Sequence, residues 1–148
     1  MYKQVFITKS PQETENIAAR LAASLKAGDL IALYGDLGAG KTAFVRGLAC
    51  GLHCRAEDVT SPTYTILQTY PGRIPLMHFD MYRITSAEDL ESTGYYDMLG
   101  TEAILAVEWP ENIAGELPQR HYTVHLTAGA AETQRLIEIE SPEEETEC

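Results

Sequence analysis

At 148 residues, 45% of them hydrophobic and 22% charged, the chain has the composition of one globular domain large enough to bury a core. Its 22 acidic residues against 11 basic ones leave a net charge of -11, which excludes the broad basic face that nucleic-acid binding normally requires. Apolar runs fall far short of the ~20 residues that span a bilayer. The start, Met1 to Lys9, lacks the apolar core and cleavage site of a signal peptide, so an intracellular, soluble protein is expected.

Val5 and Ile7 alternate with polar neighbours and predict a short strand. Ser10-Pro11-Gln12-Glu13 then carries a helix start: a capping Ser, Pro at the first helical position, and Glu three residues after the cap. Ile17, Leu21 and Leu25, with Ala18 and Ala22, form one apolar face, and Gly28 is expected to stop the helix. Leu30 to Tyr34 is apolar without alternation, as in a strand buried on both faces of a parallel sheet. A helix from about Lys41 to Gly51 follows, with Phe44, Leu48 and Leu52 on one side.

After the polar segment Asp58 to Thr63, the pattern predicts a strand from Tyr64 to Tyr70, a turn at Pro71-Gly72-Arg73, and a returning strand from Ile74 to Asp80. Ser86-Ala87-Glu88-Asp89 opens a short helix that Gly94 ends, and Tyr95 to Leu99 reads as a further helical turn. Ala103 to Val107 is a second strand of the buried type, closing on Glu108, and Pro110 to Gly115 is a short helix or loop. His121 to Thr127 and Arg135 to Glu140 read as strands around a turn. The expectation is one α/β domain over residues 1–140, a mostly parallel central sheet flanked by helices with antiparallel hairpin additions. Residues 141–148 form an acidic tail expected to be disordered.

Three cysteines, Cys50, Cys54 and Cys148, do not suggest a disulfide scaffold. Cys50, His53 and Cys54 lie close together but offer no evident fourth ligand for zinc.

The chemistry centres on Gly35-Asp36-Leu37-Gly38-Ala39-Gly40-Lys41-Thr42, which matches the phosphate-binding pattern G-x-x-x-x-G-K-[ST] between a strand and a helix. Glycines bring backbone N–H groups up to phosphate oxygens, and the helix N-terminus adds its positive end. Asp36, Leu37, Gly38, Ala39, Gly40, Lys41 and Thr42 are thus the expected nucleotide contacts. Lys41 is expected to reach the β/γ-phosphates and the Thr42 hydroxyl to ligate Mg2+, which makes the stretch a nucleotide-phosphate site.

Such a loop needs an acid at the end of a neighbouring strand. Asp80 and Glu108 both close apolar strands; one can complete a magnesium shell while the other orients or activates the attacking water, and the sequence leaves the order open. Thr60, Ser61 and Thr63 supply hydroxyls in a loop of the kind that senses a γ-phosphate. Trp109 packs either beside the nucleotide or in the core. His78, on an apolar strand, reads as a core histidine more readily than a catalytic one. There is no N-K-x-D motif to read guanine and no Arg-rich lid of the sort a small-molecule kinase uses.

Four motifs, Gly35 to Thr42, Ser61-Pro62-Thr63-Tyr64, His78-Phe79-Asp80-Met81-Tyr82-Arg83 and Val107-Glu108-Trp109-Pro110, stand in the order and approximate spacing of the bacterial TsaE (YjeE) family. The resemblance runs from Ser10 to about Arg135. It implies a P-loop ATPase of the machinery that forms threonylcarbamoyladenosine in tRNA, slow alone and activated with the TsaD and TsaB proteins. In that reading the protein resets the TsaD–TsaB complex rather than transferring the threonylcarbamoyl group, and meets tRNA only through the complex. By the same resemblance Asp80 and Glu108 are the acids at the metal and attacking water, Ser61 and Thr63 belong to a switch-like loop, and Pro11 lies near the adenine. Two other classes stay in play: a small-molecule or nucleoside kinase, and a non-catalytic module that uses nucleotide to hold a shape for its partner.

Overall fold

A computed structural model describes residues 2–36, 40–55, 59 and 67–142. Within them, strands β1 (Tyr2–Thr8), β2 (Leu30–Tyr34), β3 (Leu67–Tyr70), β4 (Leu76–Asp80), β5 (Ile104–Glu108), β6 (Tyr122–Ala128) and β7 (Arg135–Ser141) form one sheet in the order β1-β7-β6-β2-β5-β4-β3. The four central strands, β6-β2-β5-β4, run parallel. Antiparallel pairings extend the sheet at both edges, β6 to β7 to β1 on one side and β4 to β3 on the other. The expected parallel core with hairpin additions is therefore the observed architecture.

The apolar strands behave as their lack of alternation requires. Along β2, Ile31 and Leu33 enter one core with α1 (Pro11–Ser24) and α2 (Lys41–Gly51), while Leu30 and Ala32 enter a second on the opposite face. Along β5, Ile104 and Ala106 join the first core and Leu105 and Val107 the second. The second core is roofed by α3 (Ala87–Ser92), α4 (Tyr95–Met98) and the 3-10 segment Pro110–Glu116. Burying each such side chain contributes about 1.5–3 kcal/mol, so a strand buried on both faces is among the strongest anchors available.

Helices α1 and α2 lie against each other through small residues. At Gly47 an added Cβ would stand 2.2 Å from the Glu15 carbonyl and 2.7 Å from Ala18 Cβ. Ser10 caps α1 as its sequence predicts, accepting from the Glu13 N–H at 3.2 Å. Ser86 caps α3 in the same way through Asp89.

Three expectations shift. Helix α1 stops at Ser24, not at Gly28: Leu25 turns extended to bury itself in the core, and Gly28, at φ +92°, shapes the turn that follows. In β1, Val5 and Ile7 face outward and stand 55% and 62% exposed, whereas Phe6 and Thr8 point to the core. The sequence predicted the strand without its facing; Phe6 and Thr8 are the inward half because α1 covers the face carrying Thr8, whose hydroxyl bonds to Thr14 of α1 at 2.8 Å. Strand β7 runs one residue past Glu140, because Ser141 pairs with Tyr2. The expected strand start at Tyr64 and the tail from residue 143 lie outside the described residues. Among the described residues no helix is long and apolar enough to cross a membrane.

Candidate active site

The parallel strands all deliver their carboxyl ends to one edge, where a doubly wound sheet collects ligands. There β2 ends and α2 begins. Gly40, immediately before α2, adopts φ +104°, a backbone state that favours glycine, and no side chain caps the helix N-terminus. Among the described residues its first-turn N–H groups have no side-chain cap, the arrangement that suits an anion. Thr42 is half-buried at the second position of this helix, and Asp36 is exposed at the end of the preceding turn. Leu37, Gly38, Ala39, Ser61 and Thr63 lie outside the described residues.

Lys41 is buried to 5% exposure, and a buried ammonium needs a partner. Among the described residues it has two: its Nζ stands 3.9 Å from Glu108 Oε1 and 4.4 Å from the centre of the Trp109 ring. Trp109 occupies the left-handed region, at φ +56°, which non-glycine residues enter at a cost. The following Pro110 opens the 3-10 segment, and Asn112 ties that segment back by donating to the Met81 carbonyl at 2.9 Å. Tyr82 lies against the other side of Trp109, ring centres 5.0 Å apart. Trp109 therefore packs against Lys41.

Asp80 and Glu108 are paired in register on β4 and β5, so both leave the sheet on the same side. Asp80 is half-buried and accepts from the Tyr82 N–H at 2.9 Å. Burial raises its carboxyl above the ordinary aspartate value; the Tyr82 hydrogen bond opposes this, the nearby Glu108 carboxylate reinforces it, and His78 and Lys41 offset it. Glu108 is not the solvated strand-end acid that an apolar strand often carries. It is 6% exposed, and its second oxygen, Oε2, lies 2.5 Å from His78 Nε2.

Two residues here escaped the sequence reading. His78 is a core residue, as expected, but it is bonded to a site acid, and its Nδ1 has no partner among the described residues. The available signal was its spacing of two from Asp80, which puts both on one face of β4. Arg135, at the start of β7, runs its side chain beside Gly40, with Nε 3.8 Å from where a Cβ would stand. Its guanidinium donates to the Glu132 and Gln134 carbonyls. Nothing in the local sequence marked it, since only the sheet order brings β7 to the loop. Thr8 pairs with Arg135, so the β1–α1 junction and exposed Pro11 belong to the same end of the sheet. Pro11 is not among the residues gathered around Lys41.

The donor set can be tested against a divalent cation. Among the described residues no group of three or more His, Cys, Asp or Glu side chains is placed to hold an ion. Two carboxylates and a hydroxyl suit a cation that keeps waters and takes its other ligands from phosphate, as magnesium does. The raised Asp80 carboxyl, held near a second acid, is the feature a cation would relieve. Cys54, of the cysteine-histidine group, is buried with its thiol donating to the Tyr70 carbonyl at 3.5 Å, while Cys50 is exposed.

Comparison with known proteins bears on the family and the fold. A family model described as "Threonylcarbamoyl adenosine biosynthesis protein TsaE" matches residues 8–137. A "tRNA threonylcarbamoyladenosine biosynthesis protein TsaE" from Treponema pallidum is 39% identical over 120 residues, 81% of this chain and 88% of that protein. A protein of the same description from Bacillus subtilis is 41% identical over 118 residues, 79% of this chain and 73% of its own. The crystal structure of YdiB from Bacillus subtilis superposes with a TM-score of 0.78 at 32% identity, covering 96% of this chain and 87% of that one.

Proposed function

The chain belongs to the TsaE family of threonylcarbamoyladenosine biosynthesis, and from that premise we propose that it binds ATP with Mg2+ and hydrolyses it slowly, as the ATPase subunit that drives or resets a TsaD–TsaB complex. The family assigns the protein to the formation of this tRNA modification; the ATPase chemistry and the partners are the proposal. One observation carries it: Lys41 of the G-x-x-x-x-G-K-T loop converges with Glu108, whose register partner is Asp80, at the carboxyl edge of the parallel strands.

In this reading Lys41 and the N–H groups at the start of α2 hold the phosphates. Thr42 and Asp80 would hold Mg2+, and Glu108 would either share the metal or hold the attacking water. Magnesium supplies neutralisation of charge on the β- and γ-phosphates. Before ATP arrives, Lys41 rests between the Glu108 carboxylate and the Trp109 ring, so its charge stays buried yet compensated. Arrival of a triphosphate gives it a stronger partner. The near oxygen of Glu108 is then free for either of its two roles, while its far oxygen stays fixed by His78. Ser61 and Thr63 complete the reading as γ-phosphate sensors, and Pro11, with Trp109, borders the nucleotide. With a net charge of -11, the chain meets tRNA through its partners rather than by its own surface. No described arginine points into the acid cluster, which agrees with slow turnover alone; the partner complex accelerates it.

The test is phosphate release from ATP by the pure chain, with and without TsaD–TsaB, beside Glu108→Ala. Stimulation by the partners that the variant loses supports the ATPase. ATP binding without partner-dependent hydrolysis supports a non-catalytic nucleotide module, and phosphate delivered to an acceptor other than water a kinase.

A further inference from the structure

We propose that His78 is a positioning residue that holds Glu108 in its working orientation, by donating its Nε2–H to Oε2 from the core side and so leaving Oε1 to face the phosphate loop. The inference rests on the ATPase reading for what Glu108 does, but the pairing it invokes is a property of the nucleotide-free chain.

A glutamate at the end of a strand has three side-chain torsions, and its carboxylate is worth little to a water or a metal until those torsions are fixed. Here the two oxygens are divided. Oε2 is held at 2.5 Å by a histidine with no exposed surface; Oε1 lies 3.9 Å from Lys41 Nζ, an ion pair too long for a hydrogen bond. The carboxylate has therefore settled on the histidine and stopped short of the lysine. This keeps Lys41 from being locked to Glu108, and keeps Glu108 from turning inward.

The histidine is itself rigidly placed. It sits mid-strand on β4, between Met77 and Phe79, in register with Ala106 on β5, whose small side chain leaves room for the ring beneath Glu108. The alternation of β4 puts His78 and Asp80 on one face, as that of β5 puts Ala106 and Glu108 there. The ring and both acids thus share one face of the sheet at its carboxyl edge. Nδ1 has no partner among the described residues, so the donor that the site can use is Nε2–H; an Nδ1–H would be a buried donor without an acceptor there. Residues that hold a functional ligand from behind typically matter about 10–100-fold in activity.

The experiment compares His78→Leu and His78→Gln with the unaltered chain, each with TsaD–TsaB. Turnover of ATP in His78→Leu should fall about 10–100-fold, with the dissociation constant for ATP within about threefold, because phosphate holding does not run through Glu108. His78→Gln, whose amide N–H can still donate to the carboxylate, should recover part of the turnover. Thermal melting without nucleotide supplies the independent readout. Glu108→Gln should lower the melting temperature of the unaltered chain yet raise that of His78→Leu, since it removes a buried carboxylate left without its donor. Unchanged turnover in His78→Leu overturns the proposal, as does an equal loss of turnover and ATP affinity. Should the unaltered chain release no phosphate, the ATPase reading fails, and the melting cycle decides the pairing alone: a Glu108→Gln effect of the same sign and size in both backgrounds overturns it.

Discussion

Asp80 and Glu108 are Cα partners across the β4–β5 ladder, and the pairing of two acids at one strand edge costs the empty chain stability. Burial first, and the neighbouring Glu108 after it, raise the Asp80 carboxyl above its ordinary value of 3.8. The folded state therefore binds the proton more tightly than the unfolded one. Stability from this group is fully present below pH 3.8 and is lost as pH rises through the folded-state value. At neutral pH the ionised Asp80 is thus a liability. Asp80→Asn, which keeps the oxygen that accepts from Tyr82, should stabilise the nucleotide-free chain by up to about 1 kcal/mol once solvent screening is allowed for, roughly 2–4 °C in melting temperature. The same variant should lose magnesium-dependent ATP hydrolysis. Melting curves at neutral and acidic pH, where the gain should vanish, check the first half; phosphate release checks the second.

Trp109 is the chain's only tryptophan and stands against Lys41, so its emission should report on the lysine. Titration with ATP draws the ammonium toward phosphate and should change the fluorescence; Lys41→Ala should abolish the change together with ATP binding. Emission that does not respond to ATP in a chain shown to bind it by calorimetry would contradict the arrangement.

Gly47 illustrates two opposed effects on one helix. Alanine is favoured over glycine within a helix by about 1 kcal/mol. At Gly47, however, the new Cβ would meet the Glu15 carbonyl at 2.2 Å and Ala18 at 2.7 Å, and backbone cannot step aside cheaply. Overpacking should win, with Gly47→Ala losing at least about 2 kcal/mol, some 4–8 °C. A urea unfolding midpoint higher than that of the unaltered chain would show that α1 and α2 are not so closely apposed.

Tyr95 gives an alkaline signature. It is buried, donates its hydroxyl to the Glu116 carbonyl at 2.8 Å and meets Phe79 edge to face. Burial, then the neighbouring Tyr96 and Glu116, raise its hydroxyl well above the ordinary value of 10.0. Its contribution to stability is present below pH 10.0 and declines as pH rises past it, because the unfolded chain then loses this proton while the folded one keeps it. Tyr95→Phe should cost about 0.5–1.5 kcal/mol at neutral pH and should flatten the fall in stability above pH 10.0. Denaturant midpoints at neutral and alkaline pH measure both.

What could be read in advance was local. Leu30 to Tyr34 and the run ending at Glu108 are apolar without period, and both are central strands buried on two faces. Ser10 and Ser86 announce their helices by capping chemistry confined to four residues. The acids at positions 80 and 108 follow from the same logic, a charge where an apolar strand stops. What escaped the reading depends on contacts across the fold. The His78–Glu108 bond joins residues 30 positions apart, and Arg135 reaches Gly40 only because β7 follows β6 back across the sheet. Val5 and Ile7 showed period two but not which half was inward, for the two faces of an edge strand differ only by what packs on them. Leu25 passed for a helical residue because burial satisfies it equally in an extended conformation.

The sheet order has a consequence for synthesis. Residues 2–8 find their strand partner only in residues 135–141, at the far end of the sheet's chain order. The central strand β2 likewise waits for β5 and β6. Pairings of such long sequence separation close slowly. Until β7 arrives, Val5, Phe6 and Ile7 are an unpaired edge of the kind that invites association between nascent chains. A strand made well before its partner is thus among the last of the sheet to be housed.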